Sequence, residues 1–293
     1  MSGFLKNKYF LLGIMALTWG SSFILIKKTL PVFTPFQMGA FRVGFSGLLL
    51  SFIGFKALKK YTKKDIFWLV VTGFFGNFIP MFVFPLAQTR VSSSLAGMIN
   101  ALEPIFTLVL GYLLFSKKPQ KLQNIGAIIG FGGAFILLSF SDTEHSGNYL
   151  FYTLLMVIAS AFYAISSLIV KEKLQHLRST ELSSSIYTLW MLPSFIILIF
   201  SGFFTEIDFS LKETWTAMGY LLFLTVISTT LVMLLFYKLI QDTSAVFASS
   251  VSFLIPLVAV IWGILDGEHF VMWYALGGIL ILIGIYLIKE KKI

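Results

Sequence analysis

Two formal charges, Arg42 and Glu103, stand well inside apolar stretches and set the chemistry open to this sequence. A charge at the centre of a helix in lipid costs about 2.5 to 3.5 kcal/mol even on the mild insertion scale, so it persists only with a partner or a purpose. The guanidinium of Arg42 is a planar donor fork suited to a carboxylate or phosphate. Glu103 could bind a substrate ammonium or carry a coupling proton. They lie about seven and about twelve residues in from one end of their stretches, roughly 7 Å apart in depth at 1.5 Å per residue. A structural ion pair between them is therefore the competing expectation. Asn77, Asn100, Thr229, Ser249 and Ser252 are small polar groups that could line a cavity or hydrogen-bond between packed helices. Trp19 and Tyr163 are aromatic candidates for ligand contact or interfacial packing. These nine residues form the candidate substrate-binding set.

Other chemistries lack their parts. Gly44-Phe45-Ser46-Gly47 has the GxSG spacing of intramembrane serine proteases, but such catalysis needs an imidazole at membrane depth. His145, His176 and His269 all fall in loops or at helix ends. There is no Walker A motif, no HExxH and no pair of aspartates for intramembrane proteolysis. With no cysteine, disulfides, iron–sulfur clusters and thiolate zinc sites are excluded. The expectation is no catalytic residue, no metal and no bound cofactor.

The elements that position these groups are membrane spans. Of 293 residues, 57% are hydrophobic and 12% charged, against about 25% charged in a soluble domain. Spanning-length apolar runs occur at 9–26, 35–55, 66–88, 91–114, 122–140, 148–170, 182–204, 215–238, 244–265 and 271–288. Ten spans return both ends to one side. The net charge of +9 does not mark a nucleic-acid partner, because the basic residues lie in the short gaps between runs rather than on one hydrated face. Lys6, Lys8, the cluster Lys56 to Lys64, Lys117, Lys118, Lys121, Lys171, Lys173, Arg178, Lys238, Lys289, Lys291 and Lys292 fall on the side of the termini. Only Lys27, Lys28, Arg90 and Lys212 fall opposite, where Asp142, Glu144, Glu206, Asp208, Glu213, Asp266 and Glu268 gather. Positive residues resist translocation, so both termini are expected in the cytoplasm and the protein in an inner or plasma membrane.

The chain repeats. A shift of 152 aligns the fourth run with the ninth without a gap, matching Ser92 with Ser244, Ala96 with Ala248, Leu102 with Leu254, Pro104 with Pro256 and Gly111 with Gly263. It also sets Gly73, Gly76, Asn77 and Phe84 against Thr225, Ser228, Thr229 and Phe236. Ser93, Gly97, Asn100, Pro104, Thr107 and Gly111 form one helical stripe, mirrored by Ala245, Ser249, Ser252, Pro256, Ala259 and Gly263. Five spans per unit is an odd number, so the second unit enters the membrane from the opposite face. The expected fold is thus all-α and integral to the membrane: ten transmembrane helices as two inverted five-helix repeats, 1–141 and 142–293. Such repeats meeting at the midplane can open one face and then the other, and matched broken helices point to the site. Pro104 and Pro256 are the expected helix-break and gating positions. The counterparts of Arg42 and Glu103 are Tyr187 or Thr188 and Ile255, so any central cavity should be electrostatically asymmetric.

Trp19-Gly20-Ser21-Ser22-Phe23, and in each half a small-residue run with a proline and a glycine followed by a Gly-rich run, resemble the EamA family of the drug/metabolite transporter superfamily. The resemblance covers nearly the whole chain and implies export or exchange of small metabolites such as amino acids. It also implies a glutamate just after the fourth span of each unit: Glu268 fits, whereas the first half has Ser116 or Lys117 there. The functional expectation is a secondary-active permease working by alternating access. Its partners would be a small-molecule substrate, the lipid bilayer and a coupling proton, with the chain a monomer or homodimer. Gly126 and Gly130 form a GxxxG that weakly suggests a dimer face. The rival expectation is a non-transporting scaffold or an intramembrane lipid- or peptide-handling enzyme, which would have no need of aligned prolines and polar stripes.

Overall fold

A computed structural model describes residues 7–139, 148–268 and 272–288. Every element among them is helical. Eight helices are long and apolar enough to cross a membrane. They are α1 (Lys8–Thr29), α2 (Pro35–Leu58), α3 (Lys63–Gln88), α4 (Ser93–Phe115), α6 (Tyr149–Lys173), α7 (Ser179–Phe200), α8 (Lys212–Asp242) and α9 (Ala245–Leu265). Two further apolar helices, α5 (Lys121–Ser139) and α10 (Met272–Ile288), complete the described chain. Residue 141, the expected boundary between repeats, lies outside the described residues, as do Lys6, Asp142, Glu144, His145, His269, Lys289, Lys291 and Lys292.

Local sequence sets the helix starts. Thr34 and Thr62 form capping boxes with Gln37 and Asp65, each satisfying backbone donors that lipid could not. Ser92 and Ser244, matched by the internal repeat, cap α4 and α9 by each accepting one backbone N–H, from Leu95 and Phe247.

Four helices are irregular, in two matched pairs. α4 breaks between Asn100 and Glu103 and α9 between Ser249 and Ile255, each resuming with its proline in the first turn. That position suits proline, whose missing N–H would have no partner there. Pro104 and Pro256 therefore restart helices rather than kink them. α3 contains a π-helical segment at Phe74–Phe78 and α8 one at Leu224–Leu231, which correspond under the 152-residue shift. α8 runs for 31 residues, beyond the apolar run at 215–238 at both ends.

Packing respects the repeat. α2 lies along α7, α5 along α10, and the first part of α4 against the second part of α9. Exchanging the halves converts the α1–α9 contact into α6–α4 and the α1–α8 contact into α6–α3, and all four are present. The GxxxG of α5 is used within the chain: a Cβ on Gly284 would stand 2.5 Å from the Gly126 carbonyl oxygen, and one on Gly133 2.6 Å from that of Gly277. This contact between the halves corrects the dimer-face expectation for Gly126 and Gly130. Large apolar side chains such as Phe52, Ile128, Phe200 and Leu265 point outward, as lipid-facing residues do.

Candidate substrate cavity

A central cavity of about 80 Å³ lies between the π-helical segment of α3, the breaks of α4 and α9, and helices α1, α2, α6 and α8. Trp19, Arg42, Asn100, Glu103 and Tyr163, five of the nine candidates, line it. Its remaining wall is mostly apolar and aromatic and includes Phe23, Phe84, Met233 and Phe236.

The two charges stand apart. No ion pair joins Arg42 to Glu103 among the described residues, which removes the structural-pair expectation. Arg42 is 5% exposed and donates from Nε to Thr229 Oγ1 at 3.1 Å. That single bond leaves its terminal nitrogens, the two prongs of the fork, without a protein acceptor among the described residues. Glu103, 4% exposed, has Ser167 Oγ 3.5 Å from one carboxylate oxygen and Ser252 Oγ 3.3 Å from the other. It occupies the first turn of the resumed α4 helix, where the helix dipole favours negative charge. Tyr163, stacked on Phe84 at 5.8 Å, lies within electrostatic reach of both charges.

Three candidates stand one hydrogen bond behind the cavity. Thr229 holds Arg42 and Ser252 holds Glu103. Asn77, fully buried, accepts from Tyr187 OH and donates to Tyr237 OH, each at 2.6 Å. Ser249 is not brought to the site, since its hydroxyl donates to Val246 O within its own helix. The small-residue stripes of α4 and α9 serve mainly to let these helices touch, with Gly97 facing Ala259 and Gly263 facing Ser94. From α4 and α9, Asn100, Glu103 and Ile255 reach the cavity.

The π-helical segment of α8 exposes backbone carbonyls that other helices use. Trp19 Nε1 donates to Ser228 O at 3.0 Å, Ser46 Oγ to Thr225 O at 3.3 Å and Tyr187 OH to Thr229 O at 3.3 Å. Ser46, the GxSG serine, is thus buried and tied between α2 and α8, also accepting from Thr230 Oγ1 at 2.8 Å. His176 sits in the α6–α7 connection, paired with Asp65 at 3.0 Å. The parts of a serine hydrolase are not assembled by these two.

Several lining residues were not singled out from the sequence: Ser22, which donates to Ser228 Oγ at 2.9 Å, together with Ser166, Ser167 and Tyr237. Phe84 and Phe236 did carry a signal, because the internal repeat aligns them and both reach the cavity.

On the face away from the termini, the α9 end approaches α1 and α4. Asp266 pairs with Lys27 at 2.7 Å and with Lys28, and Glu268 with Lys27 at 2.9 Å. Burial raises the Glu268 carboxyl, but hydrogen bonds from Ser94, Ser93 and Lys27 outweigh it and hold the group below its ordinary value. Hydrogen bonds from Lys27 and Lys28 do the same for Asp266.

The sequence profile of the EamA-like transporter family matches residues 7–139 and 150–289, and the chain belongs to that family. It is a membrane transporter rather than an enzyme. An uncharacterized transporter of Archaeoglobus fulgidus is 24% identical over 98% of this chain and 100% of its own length. A probable amino-acid metabolite efflux pump of Salmonella typhimurium is 24% identical over 95% of this chain and 93% of its own. A solved crystal structure superposes with a TM-score of 0.63 over 94% of each chain at 16% identity, a likeness of fold alone.

Proposed function

We propose that the protein is a secondary-active exporter of small zwitterionic metabolites, amino acids or compounds like them, working by alternating access. The observation that carries this reading is a central cavity lined by a guanidinium and a carboxyl group that form no ion pair with each other. A substrate carboxylate would take the Arg42 fork, its ammonium would approach Glu103, and its apolar part would pack on Trp19, Phe23, Phe84 and Phe236. Asn77, Asn100, Thr229 and Ser252 would hold or extend this polar lining. Glu103 would also take the coupling proton once the ammonium leaves. All ten helices would cross an inner or plasma membrane, as two inverted units spanning 1–141 and 142–293 with both termini cytoplasmic. The breaks at Pro104 and Pro256 would serve as hinges. The relative named as an amino-acid metabolite efflux pump supports the substrate class.

Release of a mixed set of amino acids and other metabolites from proteoliposomes, with and without a proton gradient, tests this. Selective release is expected, with Glu103→Gln cutting it at least about tenfold and flattening its pH dependence, and Arg42→Lys weakening substrate binding because the fork is lost. Unchanged transport and unchanged pH dependence in folded Glu103→Gln would reject the coupling role. No selective release across a wide panel would reject the exporter.

A further inference from the structure

We propose that Glu268 bolts shut the face of the protein opposite its termini by seating its carboxylate in a carboxylate-binding site built by α4 and α1. One oxygen accepts from Ser93 N at 3.0 Å, Ser93 Oγ at 2.7 Å and Lys27 Nζ at 2.9 Å. The other accepts from Ser94 N at 3.1 Å and Ser94 Oγ at 2.6 Å. The side chain is 7% exposed. Two adjacent backbone donors, two hydroxyls and an ammonium converging on one carboxylate are the pattern by which proteins recognise a free carboxylate. Here the occupant belongs to the chain itself.

The position gives this contact its consequence. Glu268 follows α9, Ser93 opens α4, and Lys27 lies in the last turn of α1. The same three helices supply Ile255, Asn100 and Ser22 to the cavity wall. A solute leaving between these three helices must part them, and parting them breaks all five contacts together. The other charged groups at the contact are Lys28 and Asp266, already joined to each other.

Among the described residues, the opposite face has no such bolt. Lys171, the counterpart of Lys27 at the end of α6, donates to the carbonyls of Gln241 and Thr243. At the position matching Glu268, Ser116 caps α4 in a left-handed conformation, and the next residue, Lys117, pairs with Glu172 at the surface. Ala245 and Val246, which match Ser93 and Ser94 under the 152-residue shift, have no hydroxyl to offer. The molecule is thus biased to keep the face of Glu268 closed and to open toward its termini.

This inference rests on the alternating-access reading, so its test reads solvent access rather than transport, and either can fail alone. Because the chain has no cysteine, Ser22→Cys places a single thiol in the cavity. Labelling by a membrane-impermeant thiol reagent is compared in sealed vesicles of the two orientations. Adding Glu268→Gln should raise labelling from the bolted face roughly tenfold and lower it from the other. Glu268→Ala should do the same, and added acetate should slow its labelling again by occupying the vacated donors. An unchanged rate in folded Glu268→Gln, or faster labelling in Glu268→Ala that acetate does not reverse, overturns the proposal. If neither variant folds, Ser93→Ala with Ser94→Ala keeps the charge while removing two donors. It should still raise the rate roughly threefold, and no rise would overturn the proposal.

Discussion

The π-helical segment of α3 carries one polar side chain, Asn77, in a run of aromatics, whereas its counterpart in α8 carries Thr225, Ser228, Thr229 and Thr230. The same backbone irregularity is therefore filled with different chemistry. In the second half it becomes a wall of hydroxyls and freed carbonyls that holds Trp19, Arg42 and Tyr187 in place. The first half contributes the charges: Arg42 and Glu103 oppose Tyr187 or Thr188 and Ile255. The repeat sets where helices break, and departures from it set which charged groups line the cavity. A symmetric cavity would suit a symmetric solute. This one presents a guanidinium and a carboxyl group that form no ion pair with each other, and on the proposed reading these take the two unlike ends of a small molecule.

That contrast can be broken most severely by moving the carboxylate across the repeat. Glu103→Ile with Ile255→Glu keeps the composition and the total charge, yet it should abolish transport to below about a tenth of the parent rate. Ser167 would no longer face the acid, and the resumed α4 helix would lose its first-turn anion. Recovery of transport in the exchanged protein would show that the two walls are interchangeable.

Next in size is the scaffold pair, where the halves are alike. Gly133→Leu in α5 drives side-chain atoms into the α10 backbone and should cost about 1 to 3 kcal/mol in thermal unfolding of the detergent-solubilised protein. The α8 glycine Gly219 has open space around it. Gly219→Leu there should leave stability within about 1 kcal/mol of the parent, and an equal loss at the two sites would contradict close packing at α5–α10.

A smaller effect separates the two faces by pH. The Glu268 carboxyl is held below its ordinary value, so its tie is complete above that value and weakens as pH falls through the lowered one. Cavity access from the Glu268 face should accordingly stay flat from about pH 8 to about pH 5 and rise only under stronger acid, near or below about pH 4. A rise centred near neutral pH would assign the closure to another group. The smallest change is expected at the other face, where Lys60, itself exposed, stands 3.2 Å from the half-buried Glu181. Lys60→Ala should shift stability by no more than about 0.5 kcal/mol, because water already solvates the ammonium and Tyr61 OH still donates to Glu181. A larger loss would mean that this face, too, is held by ionic ties.

Much of the architecture was legible in the chain because lipid leaves few choices. Backbone groups must be satisfied within helices, so apolar runs located most elements to within a few residues. The 152-residue register also located both proline restarts. The π-helical segments were not legible, since nothing in Phe74–Phe78 distinguishes a five-residue turn from an α-turn until neighbouring helices use the displaced carbonyls.

Sequence alone determined that Arg42 and Glu103 are buried charges needing a reason, and that their halves differ. Only the tertiary structure decided that they do not neutralise one another. Depth along a helix follows from counting residues, but the direction in which a side chain points depends on the rotation of each helix against its neighbours. Rotation likewise turned Ser249 into its own helix, set Ser252 on Glu103, and brought Glu268 onto the start of a helix 174 residues earlier in the chain. Those contacts are set by packing across the repeat, which no local pattern encodes.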